Sequence, residues 1–367
     1  MPEARATPQK LTLTSGAGGP VLIATGLFAL FLIVYFVAPA LARVKNRPPG
    51  DGSDPATYGF VLDGAALVDE YLVAAQLHRD LVRSLDAPEK MEGTAVVAFN
   101  REEYGKYLVP SEIVVAYADG DAAVAWPLLQ LRTHEVCNDM VGDVPVLIVH
   151  APLSGLLVAY DRRVDGKVLE FGHSGLLYHS TPLLYDRTDP LGQERLWDPV
   201  TGAAVAGPEG AGTASLKRLP VFIGHWGDWL ADHPGTKILQ APKGGLRERY
   251  RRLDYGSYEL GKKLLYPARS PEEALGLGAK TPCFVLPVQD NMYAWPMAEL
   301  SKQVGGSGTL TVELQGETFT LLVKDGPHAV DVQDASGVRV PSLRSMAFGW
   351  YSADHAKLGP PLQGEGE

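Results

Sequence analysis

Histidine is the residue type in this sequence with the widest chemical use, because the imidazole ring binds transition metals and transfers protons near neutral pH. His150, His173 and His179 are the candidate metal ligands. Residues six apart in a continuous strand point to the same side, so His173 and His179 converge if Gly175 does not break the strand. No His-x-x-x-His or Cys-x-x-Cys spacing occurs, so hydrogen-bonded or surface histidines are the alternative.

Two serines stand in surroundings that resemble a hydrolase nucleophile only in part. The run Gly172-His173-Ser174-Gly175 lacks the Gly-x-Ser-x-Gly spacing of a nucleophile elbow, and Ser154 lies in a Pro-Leu-Ser-Gly turn. Both serines are therefore expected to bond turn backbone. The pairs Asp161-Arg162 and Asp186-Arg187 end leucine-rich strands and, like His134-Glu135, are interpreted as structural.

A third group combines positive charge with aromatic rings between Lys243 and Lys263. Arginine and tyrosine suit interfaces and anionic surfaces, so this segment predicts contact with lipid headgroups or an acidic partner. A solvated hairpin balanced by neighbouring acidic residues is the alternative. The candidate partner-binding residues are Arg247, Arg249, Tyr250, Arg251, Arg252 and Tyr255.

Composition limits what these residues can do. The 367 residues carry a net charge of −10, with an excess of basic residues before position 50 and of acidic residues after it. An acidic domain is repelled by phosphate backbones, so nucleic acid is excluded as a partner. Cys137 and Cys283 are too few for a disulfide framework and leave one bridge or none.

Glycine and proline, at 40 and 28 residues, predict many turns between short elements. Runs rich in β-branched and aromatic residues predict strands at 94–99, 111–118, 144–150 and 155–161, and Asp165-Gly166 predicts a tight hairpin turn. Leucines and other apolar residues at helical spacing predict a helix over 64–86, and a short helix is expected at 226–233.

A short pattern occurs twice, 169 residues apart. Ala125-Trp126-Pro127-Leu128 recurs as Ala294-Trp295-Pro296-Met297, each after an apolar strand and a polar turn. Chance recurrence of a common turn is the alternative. The repeat favours two structurally related β lobes, of which the second is smaller.

The N-terminal region contains 22 residues without a charge, Val21 to Ala42. A helix of that length spans about 33 Å, enough for the hydrocarbon core, and predicts one transmembrane helix. A cleaved signal peptide is the rival interpretation, disfavoured because the apolar run is long. Basic residues flank both sides, so the charge distribution leaves the orientation open.

Six segments, in order, resemble the bacterial domain-of-unknown-function family 3179 over about residues 94–300: WPLLQLRTHEVCNDMVGDVPV, APLSGLLVAYDR, FGHSGLLYHSTPLLYDR, RLWDPVTGAAVAG, LPVFIGHWGDWLADHPGTKIL and GGLRERYRRLDYGSY. The resemblance implies an exported or membrane-anchored protein and no particular activity. Members usually carry Cys-Pro-Leu-Cys-Gly where this chain has Ala151-Pro152-Leu153-Ser154-Gly155. Two such thiolates would bind a soft metal or form a redox pair, which alanine and serine do not.

These observations predict a mainly β (α+β) protein with few short helices, preceded by one transmembrane helix. The expected divisions are an N-terminal tail (1–19), a transmembrane helix (20–42), a linker (43–59), a helical segment (60–89), a main β-rich domain (90–270), a smaller β lobe (271–358) and a C-terminal tail (359–367).

The expected function is that of a non-catalytic accessory subunit of a larger membrane complex, of an electron-transfer or photosynthetic kind. Its expected partners are other membrane subunits and the lipid bilayer, contacted through residues 21–42, and no cofactor is predicted. Single-pass attachment to the inner membrane with a periplasmic C-terminal domain is the expected location. The alternative is a cell-envelope metal-binding or redox protein that holds a transition metal through its histidines.

Overall fold

Hairpins of apolar, β-branched residues form the framework of the computed structural model, which describes residues 18–37, 48–102, 107–187, 192–210, 212–242, 255–305, 308–324 and 329–364. Residues Met1–Pro48 and Pro49–Glu367 are separate units. The second unit is mainly β with few short helices, as the composition predicts.

The strands of the second unit are short and numerous. In chain order they are β1 Leu72–Ala74, β2 Leu85–Asp86, β3 Lys90–Glu92, β4 Ile113–Asp119, β5 Ala122–Pro127, β6 Val136–Val141, β7 Val144–Ala151, β8 Leu156–Asp161, β9 Arg163–Val164, β10 Lys167–Val168, β11 Phe171–Tyr178, β12 Thr181–Asp186, β13 Leu196–Trp197, β14 Ala204–Ala206, β15 Lys217–Arg218, β16 Phe222–His225, β17 Lys237–Leu239, β18 Pro282–Val288, β19 Asn291–Pro296, β20 Gly308–Leu314, β21 Glu317–Lys324, β22 Ala329–Asp334, β23 Leu343–Met346, β24 Ala356–Leu358 and β25 Gln363–Gly364.

The helices among the described residues are few and short. They are α1 Gly18–Leu32, α2 Val96–Glu102, α3 Leu128–His134, α4 Trp226–Asp232, α5 Gly256–Leu260, α6 Glu272–Leu275, α7 Met297–Gln303 and α8 Ala347–Tyr351. Turns of 3₁₀-helix cover Pro55–Tyr58, Asp69–Tyr71 and Gly93–Ala95. The helix predicted at 226–233 is confirmed as α4.

The strands assemble into several sheets. The largest has the order β2-β6-β7-β8-β23-β18-β19-β24, with β15 also paired to β8. Five-stranded sheets have the orders β1-β11-β12-β13-β14 and β16-β4-β5-β17-β3, and a four-stranded sheet has the order β22-β21-β20-β25. The predicted Asp165-Gly166 turn joins β9 and β10, with φ of 51° and 75° at its two residues.

One order of elements and pairings occurs twice. We call β4, β5, α3, β6, β7, β8, β16, α4 and β17 the first array, and β18, β19, α7, β20, β21, β22, β23, α8 and β24 the second array. In each, a hairpin ends in Trp-Pro and leads into a seven-residue helix, and the hairpin registers differ by 169 positions throughout. In each, the last strand runs parallel to the second strand of that hairpin.

Apolar side chains between the sheets form the core. Trp126, Leu147 and Trp229 are fully or almost fully buried in the first array, as are Leu321 and Trp350 in the second. The strands predicted at 111–118, 144–150 and 155–161 are confirmed as β4, β7 and β8, because their apolar residues are buried on both faces.

Two predicted elements are wrong. Residues 60–89 contain no α-helix; they form the Asp69–Tyr71 turn, β1 and β2. Leu77 and Leu81 are exposed, so the apolar residues at helical spacing do not form a buried face. The predicted strand 94–99 lies in a 3₁₀ turn and α2. There Val96 is buried and Val97 exposed, and Phe99, one helical turn from Val96, packs beside it in the same core cluster.

The N-terminal unit contains a helix in the segment where a transmembrane helix is predicted. Its α-helix, α1, has 15 residues and continues as a π-helix over Ile33–Val37. None of the helices that the structure describes is both long enough and apolar enough to cross a membrane. Residues 38–42 of the predicted span lie outside the described residues.

Candidate functional site

The strongest concentration of unusual polar groups lies where α3 ends, β6 begins and β7 ends. Glu135 follows α3 with φ of 58°, a conformation that disfavours any side chain. Its N–H donates to the Leu131 carbonyl at 2.7 Å, and its own carbonyl accepts from the His150 N–H at 2.8 Å. The backbone therefore fixes Glu135 beside the end of β7.

The ring of His173 reaches this point from β11. Asn138 of β6 exchanges two hydrogen bonds with the backbone of Phe171, at 2.8 and 2.9 Å, and so docks β11 against β6. The Nε2 atom of His173 lies 3.1 Å from the His134 carbonyl. Because a carbonyl only accepts, Nε2 carries the proton and Nδ1 presents a lone pair.

An acid and a base face each other across this site. The distance from His173 Nδ1 to Glu135 Oε2 is 4.0 Å, too long for a hydrogen bond, and Nδ1 is buried without a partner among the described residues. Burial raises the pKa of Glu135 to about 8 and lowers the pKa of His173 to about 4. At neutral pH a carboxylic acid therefore stands opposite a neutral imidazole.

His150 repeats the same arrangement of one satisfied and one unsatisfied ring nitrogen. Its Nδ1 donates to the Leu156 carbonyl at 2.9 Å, and its Nε2 is buried without a partner in the described part of the chain. Burial lowers its pKa to about 4 despite that bond, and the charge of Arg132 lowers it further. His150 is thus a neutral base with one free lone pair.

His179, the third candidate ligand, belongs to a different environment. The register of β11 shifts between His173 and Leu177, where Gly175 has φ of 86°, and His179 follows the strand with φ of 49°. Its Nδ1 accepts the Arg269 N–H at 3.1 Å, and its ring stacks on Tyr71. Gly175 therefore disturbs the strand as foreseen, and His173 and His179 contact different groups.

No group of three or more His, Cys, Asp or Glu side chains that could hold a metal ion occurs within the described ranges. Both cysteines are buried free thiols in different strands, β6 and β18. Burial raises the pKa of each, to about 12 for Cys283, so both are protonated.

Ala151 ends β7 and Ser154 lies in the turn between β7 and β8, and both are fully buried. The Ser154 carbonyl accepts the Met346 N–H at 2.7 Å, which connects this turn to β23. The prediction that the Ser154 hydroxyl bonds turn backbone is wrong, because this hydroxyl is buried without a partner in the described residues. Ser174 donates its hydroxyl to the Leu183 carbonyl at 2.6 Å, the backbone role predicted for it.

The side chains of the two Asp-Arg pairs connect loops and strands, and each bonds residues other than its neighbour in the pair. Asp161 pairs with Arg163, and Asp186 accepts two bonds from Arg195. Arg162 donates to backbone carbonyls of β6, of β7 and of Leu169, and Arg187 bonds Asp86 at 2.8 Å.

Most of the predicted basic and aromatic patch, Arg247, Arg249, Tyr250, Arg251 and Arg252, lies outside the described residues. Tyr255 is described and precedes α5. Burial raises the pKa of its phenol and the Glu135 carboxylate raises it further, so Tyr255 belongs to the surroundings of the acid and base pair. The sequence pattern predicts only a structural role for Glu135. The local signal that marks this position is a glutamate directly after a helix, where glycine is usual.

Together the fold and the site define a mainly β protein of several sheets whose most perturbed ionisable groups are buried against the sheet core. Residues 92–355 match the family described as protein of unknown function (DUF3179), and the chain belongs to that family. The resemblance found in the sequence is thereby confirmed. No curated protein and no solved structure matches the chain.

Proposed function

We propose that this protein is a non-catalytic accessory subunit of a larger membrane protein complex, of an electron-transfer or photosynthetic kind. The observation that carries the proposal is the apolar N-terminal segment. Val21 to Ala42 contains no charge, and every described side chain from Leu22 to Phe36 is exposed in the chain alone. A continuous apolar surface of this extent needs lipid or protein to cover it.

The proposal includes a location. Residues 21–42 contact the bilayer of the inner membrane and neighbouring subunits, and the β-rich part lies on the periplasmic side. The recurring pairings of the first and second arrays support two related β lobes that present surfaces to partners. The family resemblance supports attachment to the cell envelope, because exported and membrane-anchored chains are typical of it.

Purification in mild detergent tests this proposal directly. The full chain is expected to bring down other membrane subunits in a fixed ratio, and absorption bands of redox centres or pigments in that complex would identify its kind. Leu27→Asp with Phe28→Asp should release the chain from the membrane fraction. The matched control is Leu260→Asp with Leu265→Asp, at leucines that are 90% and 64% exposed. A lone monomer in every detergent would refute the proposal.

A second candidate, a metal-binding or redox protein of the cell envelope, is favoured by one observation. His150 and His173 each donate one ring N–H to a backbone carbonyl and keep the other nitrogen buried without a partner among the described residues. Metal-binding histidines are commonly oriented in this way. Elemental analysis of the purified protein, repeated with His173→Ala, separates the candidates: a stoichiometric transition metal lost in the variant supports the second.

A further inference from the structure

The last strands of the two arrays occupy equivalent positions but have different neighbours. In the first array Lys237 and Ile238 of β17 lie opposite Val124 and Ala125 of β5. In the second array Lys357 and Leu358 of β24 lie opposite Tyr293 and Ala294 of β19. Tyr293 and Ala294 follow Val124 and Ala125 by the same 169 positions that separate the two hairpins. Lys357 therefore corresponds to Lys237, and Leu358 to Ile238.

In the first array the strand β17 has a further neighbour, β3, which lies outside the array as defined. β3 pairs antiparallel with the outer edge of β17, so that Glu92 lies opposite Lys237 and Met91 opposite Ile238. In the described residues β24 ends its sheet, with no strand on its outer edge. Ile238 is completely buried, whereas Leu358 is 39% exposed.

The backbone of β24 is oriented to receive such a strand. The Met292 N–H donates to the His355 carbonyl at 3.2 Å, and the Gly359 N–H donates to the Ala294 carbonyl at 2.8 Å. Alternate residues of β24 and its ends therefore direct their backbone groups toward β19. The intervening residues, Ala356 and Leu358, direct their N–H and C=O groups outward. Pro360 lies at the position equivalent to Gln240, whose N–H donates to the Glu89 carbonyl. Proline has no N–H to donate, so the free edge of β24 ends at Pro360.

We propose that the outer edge of β24 binds an antiparallel strand of a partner subunit, with an acidic residue opposite Lys357 and an apolar residue opposite Leu358. This inference rests on the proposed accessory function and identifies one contact surface. Backbone hydrogen bonds supply the affinity and the two side-chain positions supply the selectivity. A second copy of β24 fits less well, because pairing centred on Lys357 opposes two lysines.

Disulfide trapping tests the edge without any natural partner. The probe is a peptide of residues 87–94, the β3 segment, carrying Glu92→Cys, and the protein carries Lys357→Cys. Residues directly opposite at a non-hydrogen-bonded position are about 4.5 Å apart at Cα, within the range of a disulfide. Because Cys137 and Cys283 are buried, the new thiol is the reactive one.

We expect this peptide to cross-link at least about tenfold faster than the same peptide carrying Met91→Cys, because pairing holds the two thiols together. The matched protein control is Lys302→Cys, on the exposed face of α7, which should show no preference. Equal rates for both peptides would refute the proposed edge. A disulfide-linked dimer of the Lys357→Cys protein would instead identify a second copy as the occupant and overturn the partner strand.

Leu358→Pro tests the edge in the intact complex, because proline removes an outward N–H and leaves the bonds to β19 intact. We expect recovery of the co-purified subunits to fall about fivefold, the cost of about one lost hydrogen bond. Leu265→Pro is the control, and circular dichroism checks folding. Undiminished recovery with Leu358→Pro refutes the edge but leaves the accessory function standing. If the unaltered chain recovers no subunits, the accessory function itself fails.

Discussion

Glu135 and His150 occupy positions at which the second array has apolar residues. Where α3 is followed by Glu135, the equivalent helix α7 is followed by Val304, which packs against the core. The seventh residue of β7 is His150, and the seventh residue of β21 is the buried Val323. The Nε2 atom of His150 is buried without a partner among the described residues, which is unfavourable, and the second array forms the same architecture with a buried valine at the equivalent position.

The raised pKa of Glu135 predicts how stability depends on pH. Between the ordinary pKa of 4.5 and the folded pKa of about 8, the unfolded chain is ionised while the folded chain keeps the proton, so stability falls as pH rises. Below pH 6.5 the lowered pKa values of His150 and His173 act in the opposite direction, because the unfolded state binds protons there. The clearest window for Glu135 is therefore pH 6.5 to 8.

Glu135→Gln is expected to flatten the decline of the unfolding free energy between pH 6.5 and 8, since glutamine has no proton to lose. Urea denaturation at several pH values measures the slope. Glu317→Gln, at an exposed carboxylate of β21, is the control and should leave the slope unchanged. A slope that persists in Glu135→Gln would show that another group causes it.

At the scale of elements, the sequence predicts what neighbours along the chain determine. The strands β4, β7 and β8 follow from runs of β-branched and apolar residues, and the β9-β10 turn from Asp165-Gly166. The segment 60–89 instead takes its conformation from distant contacts, such as the Asp80 bond to the His173 N–H at 3.0 Å. The candidate site depends likewise on the pairing of β6 with β7 and the docking of β11, which no local pattern encodes.

Arg79 makes two further distant contacts of that segment. Its guanidinium lies over the ring of Phe60 at 3.6 Å and forms a 2.8 Å ion pair with Glu194, whose side chain is 1% exposed. Breaking a buried pair leaves an uncompensated charge. The folded conformation of the residues around Arg79 is therefore expected to depend strongly on the ion pair with Glu194.

Glu194→Ala should lower the free energy of unfolding by about 3–5 kcal/mol. The matched control is Glu299→Ala, which breaks an ion pair of the same 2.8 Å length between side chains that are 57% and 71% exposed. That pair should contribute about 0–1 kcal/mol, because water screens it. Equal losses in the two variants, measured by urea denaturation, would contradict the role assigned to burial.

At the scale of the whole second unit, the two arrays share one sheet. β8 of the first array pairs with β23 of the second, where Leu157 lies opposite Arg344. The Arg344 guanidinium also donates to the Ile223 carbonyl at 2.6 Å, and the Met346 N–H bonds Ser154 at 2.7 Å. Because β23 loses its neighbour if the first array unfolds, the arrays are expected to unfold together.

Leu147→Ala and Leu321→Ala test this coupling, since each removes a completely buried leucine from a different array. Each should lower the unfolding free energy by about 2–5 kcal/mol and shift the same single transition. Tryptophan fluorescence reports both arrays, because Trp126 and Trp295 lie at equivalent positions in them. The double variant should lose the sum of the two changes, because the leucines belong to separate core clusters. If Leu321→Ala produces an early transition that Leu147→Ala does not move, the arrays unfold independently and the shared sheet does not couple them.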